Sequence, residues 1–239
     1  MTKKSYYEEL IYRHNIVSIM GGSDISIDPF NGSLMMSKRG RLMWQGKAHN
    51  AMFQFVRCFE RNSPILKAQF VEFAARMDSK LDNRDYPMQT HSDFRRATET
   101  SREVSASSIF ITLNIMLQTL KDELSISKQK FLNAEPLYSG QSFGNVAWVA
   151  SNNARHADEW RVQWLTEKYF TDTQLRSVKV LASVLGYGCS DYRNLSGEIC
   201  APVLAAITNS DFDILERDLF TFANNLAVGV ENNKGSATP

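Results

Sequence analysis

The amino-acid sequence predicts an all-α protein, a helical bundle of about seven or eight helices. Apolar residues recur at intervals of three and four over most of the 239 residues, as they do along one face of an α-helix. Only 12 glycines and 6 prolines interrupt this pattern. Residues 24–37 are different, because apolar residues alternate there around the turn-like segment 28–32, which also fits a small β-hairpin.

The N-terminal half is predicted to contain three helices before the first long polar connector. The first covers residues 7–20, because its apolar side chains share one face and Gly21-Gly22 can end it. Helical spacing returns between residues 46 and 81. Within that stretch Ser63-Pro64 predicts a break into two helices, since serine caps a helix start and proline suits the first helical position.

The rest of the chain predicts five further helices. Ser92 or Asp93 is expected to cap a helix that continues to about Leu124. Residues 136–144 are typical of a loop. The remaining predicted helices cover residues 143–170, 172–185, 201–207 and 211–230, and the glycines at 186 and 188 end the second of these.

Length and composition indicate a single helical domain over residues 1–230, followed by a polar, flexible tail at residues 231–239. Hydrophobic residues make up 43% of the chain, which is too many for a disordered protein. The 27 basic residues nearly balance the 26 acidic ones. This balance excludes a strongly basic chain, although a local basic patch could still bind nucleic acid.

Targeting and cysteine patterns predict a cytoplasmic protein. Glu8 and Glu9 interrupt the N-terminal segment, so no secretory signal is expected. The uncharged run 104–120 contains several polar side chains, so we expect a buried helix and no membrane span. Three cysteines without a C-x-x-C pair indicate neither a disulfide framework nor a zinc site, and no cofactor is expected.

One segment of the predicted helix 143–170 carries side chains capable of chemistry. At about 100° per residue, a polar sector beside a broad apolar face contains Asn152, Arg155, His156 and Glu159. An imidazole transfers protons near neutral pH, so His156 is a candidate acid or base. Arg155 could hold a phosphate or a carboxylate with two hydrogen bonds, and Asn152 and Glu159 could orient the reacting groups.

The same four residues also suit a structural role, because half-buried helices use such side chains to satisfy polar groups between neighbours. An Arg155–Glu159 ion pair on the surface would contribute only about 0.3–0.5 kcal/mol. Metal binding by His156, Glu159 and a third carboxylate such as Glu103 is a weaker alternative, since the Glu-x-x-His order of di-metal bundles is reversed here. We therefore expect no metal site.

A resemblance to known proteins adds to this interpretation. The run Asn152-Asn153-Ala154-Arg155-His156-Ala157-Asp158-Glu159-Trp160 resembles an Asn-x-x-(Arg/Lys)-His-x-x-Glu-Trp signature of uncharacterised bacterial proteins. It is similar, more loosely, to the HEPN superfamily of small α-helical bundles, which often dimerise. Active members of that family are metal-independent RNases whose arginine and histidine line a cleft between two protomers. The resemblance implies that Arg155 holds the scissile phosphate and that His156 assists 2′-OH attack or departure of the leaving group.

The spacing departs from the family motif, in which several residues separate the arginine from the histidine, because Arg155 and His156 are adjacent. Arg84 and His91 match the family spacing, although Pro87 prevents one continuous helix between them. Two hypotheses follow. One is a HEPN-like ribonuclease or nucleic-acid-processing enzyme acting on RNA. The other is a non-catalytic module, dimeric or part of a defence system, that binds itself or another helical protein.

Overall fold

A computed structural model describes residues 5–16, 47–77, 88–156, 159, 171–187 and 199–231 of the chain. Eight helices lie in this part of the chain, which confirms the predicted all-α bundle. They are α1 (Tyr6–Arg13), α2 (Lys47–Met77), α3 (Met88–Leu124), α4 (Lys128–Asn133), α5 (Phe143–Arg155), α6 (Asp172–Val184), α7 (Cys200–Thr208) and α8 (Phe212–Glu231).

The long helix α3 is the element on which the other helices are arranged. It packs against α2 and also contacts α5, α7 and α8. Among the side chains of α3 that the structure describes, residues 92–124, the buried ones are apolar apart from Asn114. The apolar ones are Ala106, Ile109, Phe110, Leu113, Met116, Leu117, Leu120 and Leu124. Because they recur every three or four residues, one stripe of α3 buries its apolar surface against several neighbours at once.

Aromatic rings fill the core beside α8. Phe220 meets Phe55 and Phe59 of α2 edge to face, with ring centroids 5.6 and 5.1 Å apart. Phe222 meets Phe131 of α4 at 5.2 Å with perpendicular rings. Since edge-to-face pairs are directional, these contacts fix the position of α8 relative to both α2 and α4.

The prediction that Ser63-Pro64 separates two helices is wrong, because α2 continues through both residues. A proline inside a helix costs about 3 kcal/mol. Phe59 and Phe73, one on each side of Pro64, are fully buried. At about 1.5–3 kcal/mol for each buried large side chain, packing of the stripe outweighs the local penalty, and the helix stays continuous.

Two other helix ends differ from the prediction. α1 ends at Arg13 rather than near residue 20, and Asn15 follows in the left-handed conformation with φ 53°. α3 begins at Met88 rather than at Ser92 or Asp93. Residues 92–97 are exposed, so this part of α3 has no apolar stripe from which its start could be predicted. The last three predicted helices match α6, α7 and α8 to within one residue at each end.

A small antiparallel hairpin lies in the segment predicted to be a loop. Its strands are β1 (Leu137–Tyr138) and β2 (Gln141–Ser142). The turn residues Ser139 and Gly140 have φ values of 49° and 78°, and two successive left-handed residues are what a tight hairpin turn requires. The hairpin suggested for residues 24–37, like most of the predicted tail, lies outside the described residues.

The hairpin is attached to α8 through the half-buried phenol of Tyr138. The hydroxyl of Tyr138 donates a hydrogen bond to Oδ2 of Asp218, whose Oδ1 accepts from Arg217 at 2.8 Å. Burial, together with the hydrogen bond to Asp218, raises the pKa of Tyr138 above its usual value. Tyr138 therefore acts as a neutral donor that ties β1 to α8.

Replacing Gly144 with alanine is expected to lower the free energy of unfolding by about 1–3 kcal/mol. A methyl group at this position would come within 2.4 Å of the Phe222 ring and 2.7 Å of the Phe131 ring. These rings pack against each other and cannot both withdraw. Urea unfolding monitored by circular dichroism measures the change. An unchanged midpoint for Gly144→Ala would show that the rings yield.

Candidate functional site

The predicted site lies at the C-terminal end of α5. This helix ends at Arg155, and His156 follows as its cap with φ −118° and ψ 23°. The prediction of one helix over residues 143–170 is therefore wrong at this point. Asn152 and Asn153 are weak helix formers, and their carbonyl oxygens share the backbone N–H of His156, as is common at helix ends.

Arg155 is exposed but anchored. Its Nε lies 3.3 Å from the carbonyl oxygen of Ser151, and Nη2 donates to Ser151 Oγ at 2.8 Å. The same Oγ accepts from Asn114 Nδ2 at 3.3 Å, and Gln118 Nε2 donates to Asn114 Oδ1 at 3.4 Å. This chain of hydrogen bonds fixes the guanidinium against α3. None of the ion pairs among the described residues joins Arg155 to Glu159.

His156 points to solvent and pairs with Glu159. Its side chain is 53% exposed, and Nδ1 lies 3.3 Å from Oε1 of Glu159, which is exposed as well. No hydrogen bond joins Nε2 to any residue that the structure describes. The imidazole thus has one nitrogen next to a carboxylate and the other available to a ligand, which is the arrangement needed for proton transfer.

Asn152 is the fourth residue of the predicted group, and no contact among the described residues holds its side chain in place. It is half-buried one turn before His156, and its amide has no hydrogen bond to the described residues. For the alternative pair, Arg84 and the side chain of His91 lie outside the described part of the structure. The structure therefore brings Arg155, His156 and Glu159 to one end of α5, with Asn152 close by.

Glu103, considered from the sequence as a third metal ligand, instead caps α7. Its two carboxylate oxygens accept from the backbone N–H groups of Cys200 and Ala201, both at 2.8 Å. A carboxylate is favourable at this position because the amides of a helix N-terminus are unpaired. Burial, with the nearby charge of Glu103, raises the pKa of the Cys200 thiol. Among the described residues no three potential metal-ligating side chains converge.

A second polar cluster, which the sequence analysis missed, joins α1 to α8. Glu216 is only 2% exposed, and its Oε1 lies 2.9 Å from both Nη1 of Arg13 and Nε2 of His14. The His14 ring stacks on Phe220 with centroids 4.0 Å apart and planes at 4°. Asn224 donates to the carbonyl oxygen of His14 at 2.9 Å. We call Arg13, His14 and Glu216 the α1–α8 cluster.

The α1–α8 cluster predicts a loss of stability at acid pH. Burial acts to raise the pKa of Glu216, but the hydrogen bonds and charges of His14 and Arg13 outweigh it, so the pKa lies below its usual value. A depressed carboxyl pKa stabilises the fold above the ordinary glutamate pKa, about 4.3, and that contribution is lost as pH falls through the lower folded value. We expect wild type to lose more stability than Glu216→Gln between neutral and acid pH. Parallel denaturation curves at each pH would contradict this.

The chain matches no known protein-family model, no curated protein and no solved structure. Its HEPN-like character thus stays a prediction that rests on the segment around Arg155 and His156. Not one of the helices in the described ranges combines the length and the apolar character needed to cross a membrane.

Proposed function

We propose that this chain is a metal-independent ribonuclease whose working residues lie at the C-terminal end of α5. The proposal is supported most by the exposed His156–Glu159 pair, which follows the anchored Arg155 directly in the sequence at the end of α5. A proton-transferring imidazole has to reach its substrate, and an imidazole used only for packing would be enclosed. RNA is the proposed substrate because its 2′-hydroxyl is a built-in nucleophile that an acid–base pair can activate without a metal.

In the proposed reaction the 2′-oxygen of a ribose attacks the adjacent phosphorus. Nε2 of His156 takes the proton of the 2′-hydroxyl, the bond from phosphorus to the 2′-oxygen forms, and the bond to the 5′-oxygen breaks. The departing 5′-oxygen takes a proton from water, and the hydroxide so formed removes the proton from the His156 imidazolium. The products are a 2′,3′-cyclic phosphate and a 5′-hydroxyl, and the neutral imidazole is restored. Nη1 of Arg155, which has no hydrogen bond to the described residues, donates to a phosphoryl oxygen and stabilises the developing charge.

The test is a cleavage assay on labelled single-stranded and structured RNA in the presence of EDTA. We expect cleavage that survives EDTA, yields cyclic phosphate ends, and disappears in His156→Ala. No cleavage by the wild-type chain would overturn the proposal. Cleavage that is lost in His91→Ala but kept in His156→Ala would overturn the placement of the site and favour Arg84 and His91.

A second candidate function is a helical interaction module, and the outer face of α3 favours it. Val104 and Ile115 lie on this face and are 58% and 59% exposed. No charged residue occurs between Glu103 and Lys121, so nearly five turns of the helix, at about 3.6 residues per turn, present an uncharged surface. Exposed apolar faces of this kind are typical of protein contacts. The partner proposed here is a second copy of the chain.

Light scattering over a range of protein concentrations tests this second function. We expect a dimer in wild type, and its dissociation in Ile115→Glu. Val71→Glu on α2 is the matched control, because Val71 is also exposed, at 66%, but lies on a different helix. A monomer at every concentration, or equal dissociation by both substitutions, would rule out the α3 face as the contact.

A further inference from the structure

We propose that Trp148 is a stacking platform for one base of single-stranded RNA, next to the phosphate held by Arg155. This inference rests on the proposed function and specifies its substrate class. Trp148 is half-buried against the core, which holds the indole in place, and part of its ring reaches the surface. Base–aromatic stacking is sequence-tolerant, since every base has a flat face. The site would therefore select unpaired nucleotides of any sequence.

The helix places the platform and the phosphate anchor on one line. Trp148, Asn152 and Arg155 lie at helical spacing along one face of α5. Arg155 lies seven positions after Trp148, a rise of about 10 Å along the helix. That distance is within the reach of a nucleotide from its base to a neighbouring phosphate. A base on Trp148 thus directs the chain of phosphates toward Arg155 and the exposed imidazole of His156.

Lys128 shows how the platform could open for a base. Its Nζ lies 5.3 Å from the centre of the Trp148 ring, and the side chain is exposed. An exposed cation–π contact corresponds to about a two- to five-fold effect on an equilibrium. Stacking of one base corresponds to about 5- to 150-fold. Exchange of the ammonium for a base is therefore favourable, and the displaced Lys128 can pair with a phosphate.

Asn152 lies between the two contacts. Its amide carries donors and an acceptor, and it has no hydrogen bond to the described residues. Within the described part of the chain no group competes for this amide, which can bond the edge or the sugar of the stacked nucleotide. A paired base cannot be contacted in this way, because its edge is occupied and its faces are covered by neighbours in the duplex.

Binding of a fluorescein-labelled single-stranded RNA, 2′-O-methylated to prevent cleavage, tests the inference. We expect Trp148→Leu to weaken binding by about 5- to 150-fold and to leave weak binding of the matching duplex unchanged. Phe94→Leu is the control for Trp148→Leu, because it also removes an exposed ring. Lys179→Ala is the control for Arg155→Ala, because it also removes an exposed positive charge. We also expect RNA to quench tryptophan fluorescence in wild type but less in Trp148→Phe, a variant that keeps an aromatic core contact.

The outcomes separate this inference from the proposed function. If Trp148→Leu and wild type bind the single strand equally while Arg155→Ala weakens binding, the platform is wrong and the ribonuclease proposal stands. Equal loss of single-strand and duplex binding in Trp148→Leu would also overturn the platform. If wild type neither binds nor cleaves RNA, both proposals fail together.

Discussion

Replacing His14 with alanine is expected to lower the free energy of unfolding by about 2–4 kcal/mol, since it removes a hydrogen bond to a charged group and an aromatic contact. Glu216 is almost fully buried, and its two partners are Arg13 and His14. The change removes one of them. It also removes the ring that stacks on Phe220. The loss is costly because Glu216 then keeps only the half-exposed Arg13 as a partner, and its buried carboxylate cannot replace the lost hydrogen bond with bulk water. Urea unfolding at neutral pH measures the effect.

Two further variants define the cause. Arg13→Ala is expected to cost about 1 kcal/mol or less, because the Arg13 side chain is half exposed. The double variant His14→Ala with Glu216→Leu is expected to be more stable than His14→Ala alone, since an apolar side chain needs no partner. A double variant less stable than the single one would mean that His14 contributes through its ring contacts rather than through Glu216.

Helical periodicity predicted the fold because most helices here bury one stripe. The predictions for α6, α7 and α8 rest on apolar spacing bounded by clear ends, and they hold to within one residue. The prediction at Pro64 failed because a local rule cannot include the packing of Phe59 and Phe73 on both sides of it. At the end of α5 a local signal was missing, because neither glycine nor proline marks the point where the helix ends.

The candidate site was only half predictable. Neighbours in sequence such as His156 and Glu159 meet as expected, because the local chain path brings them together. The partners that cross the bundle could not be predicted. His14 and Glu216 are 202 residues apart in the chain, and a carboxylate on an apolar helix face does not reveal which cation faces it. One contact across the bundle did have a sequence signal. Asn114 interrupts the apolar stripe of α3, and a polar residue in such a stripe indicates a polar partner, which here is Ser151.

Alanine substitutions at His14 and His156, the two histidines whose side chains the structure describes, should separate effects on catalysis from effects on stability. His156→Ala is expected to lower the rate of RNA cleavage by about 10²–10⁴-fold, the contribution typical of general acid–base catalysis. Its stability should change by no more than about 0.5 kcal/mol, because the side chain is exposed and its pairing with Glu159 is a surface contact. Cleavage rates and urea midpoints measured on the same preparations give both quantities.

Glu159→Gln is the companion to His156→Ala. It keeps a hydrogen-bonding group beside Nδ1 but removes the charge. Because the imidazole itself remains, Glu159→Gln should lower the cleavage rate less than His156→Ala does. A purely structural His156 would give the reverse result, with cleavage kept and stability lowered. The His156 side chain is exposed to solvent, whereas the protein encloses the His14 side chain. The same substitution at the two positions is therefore expected to have opposite consequences.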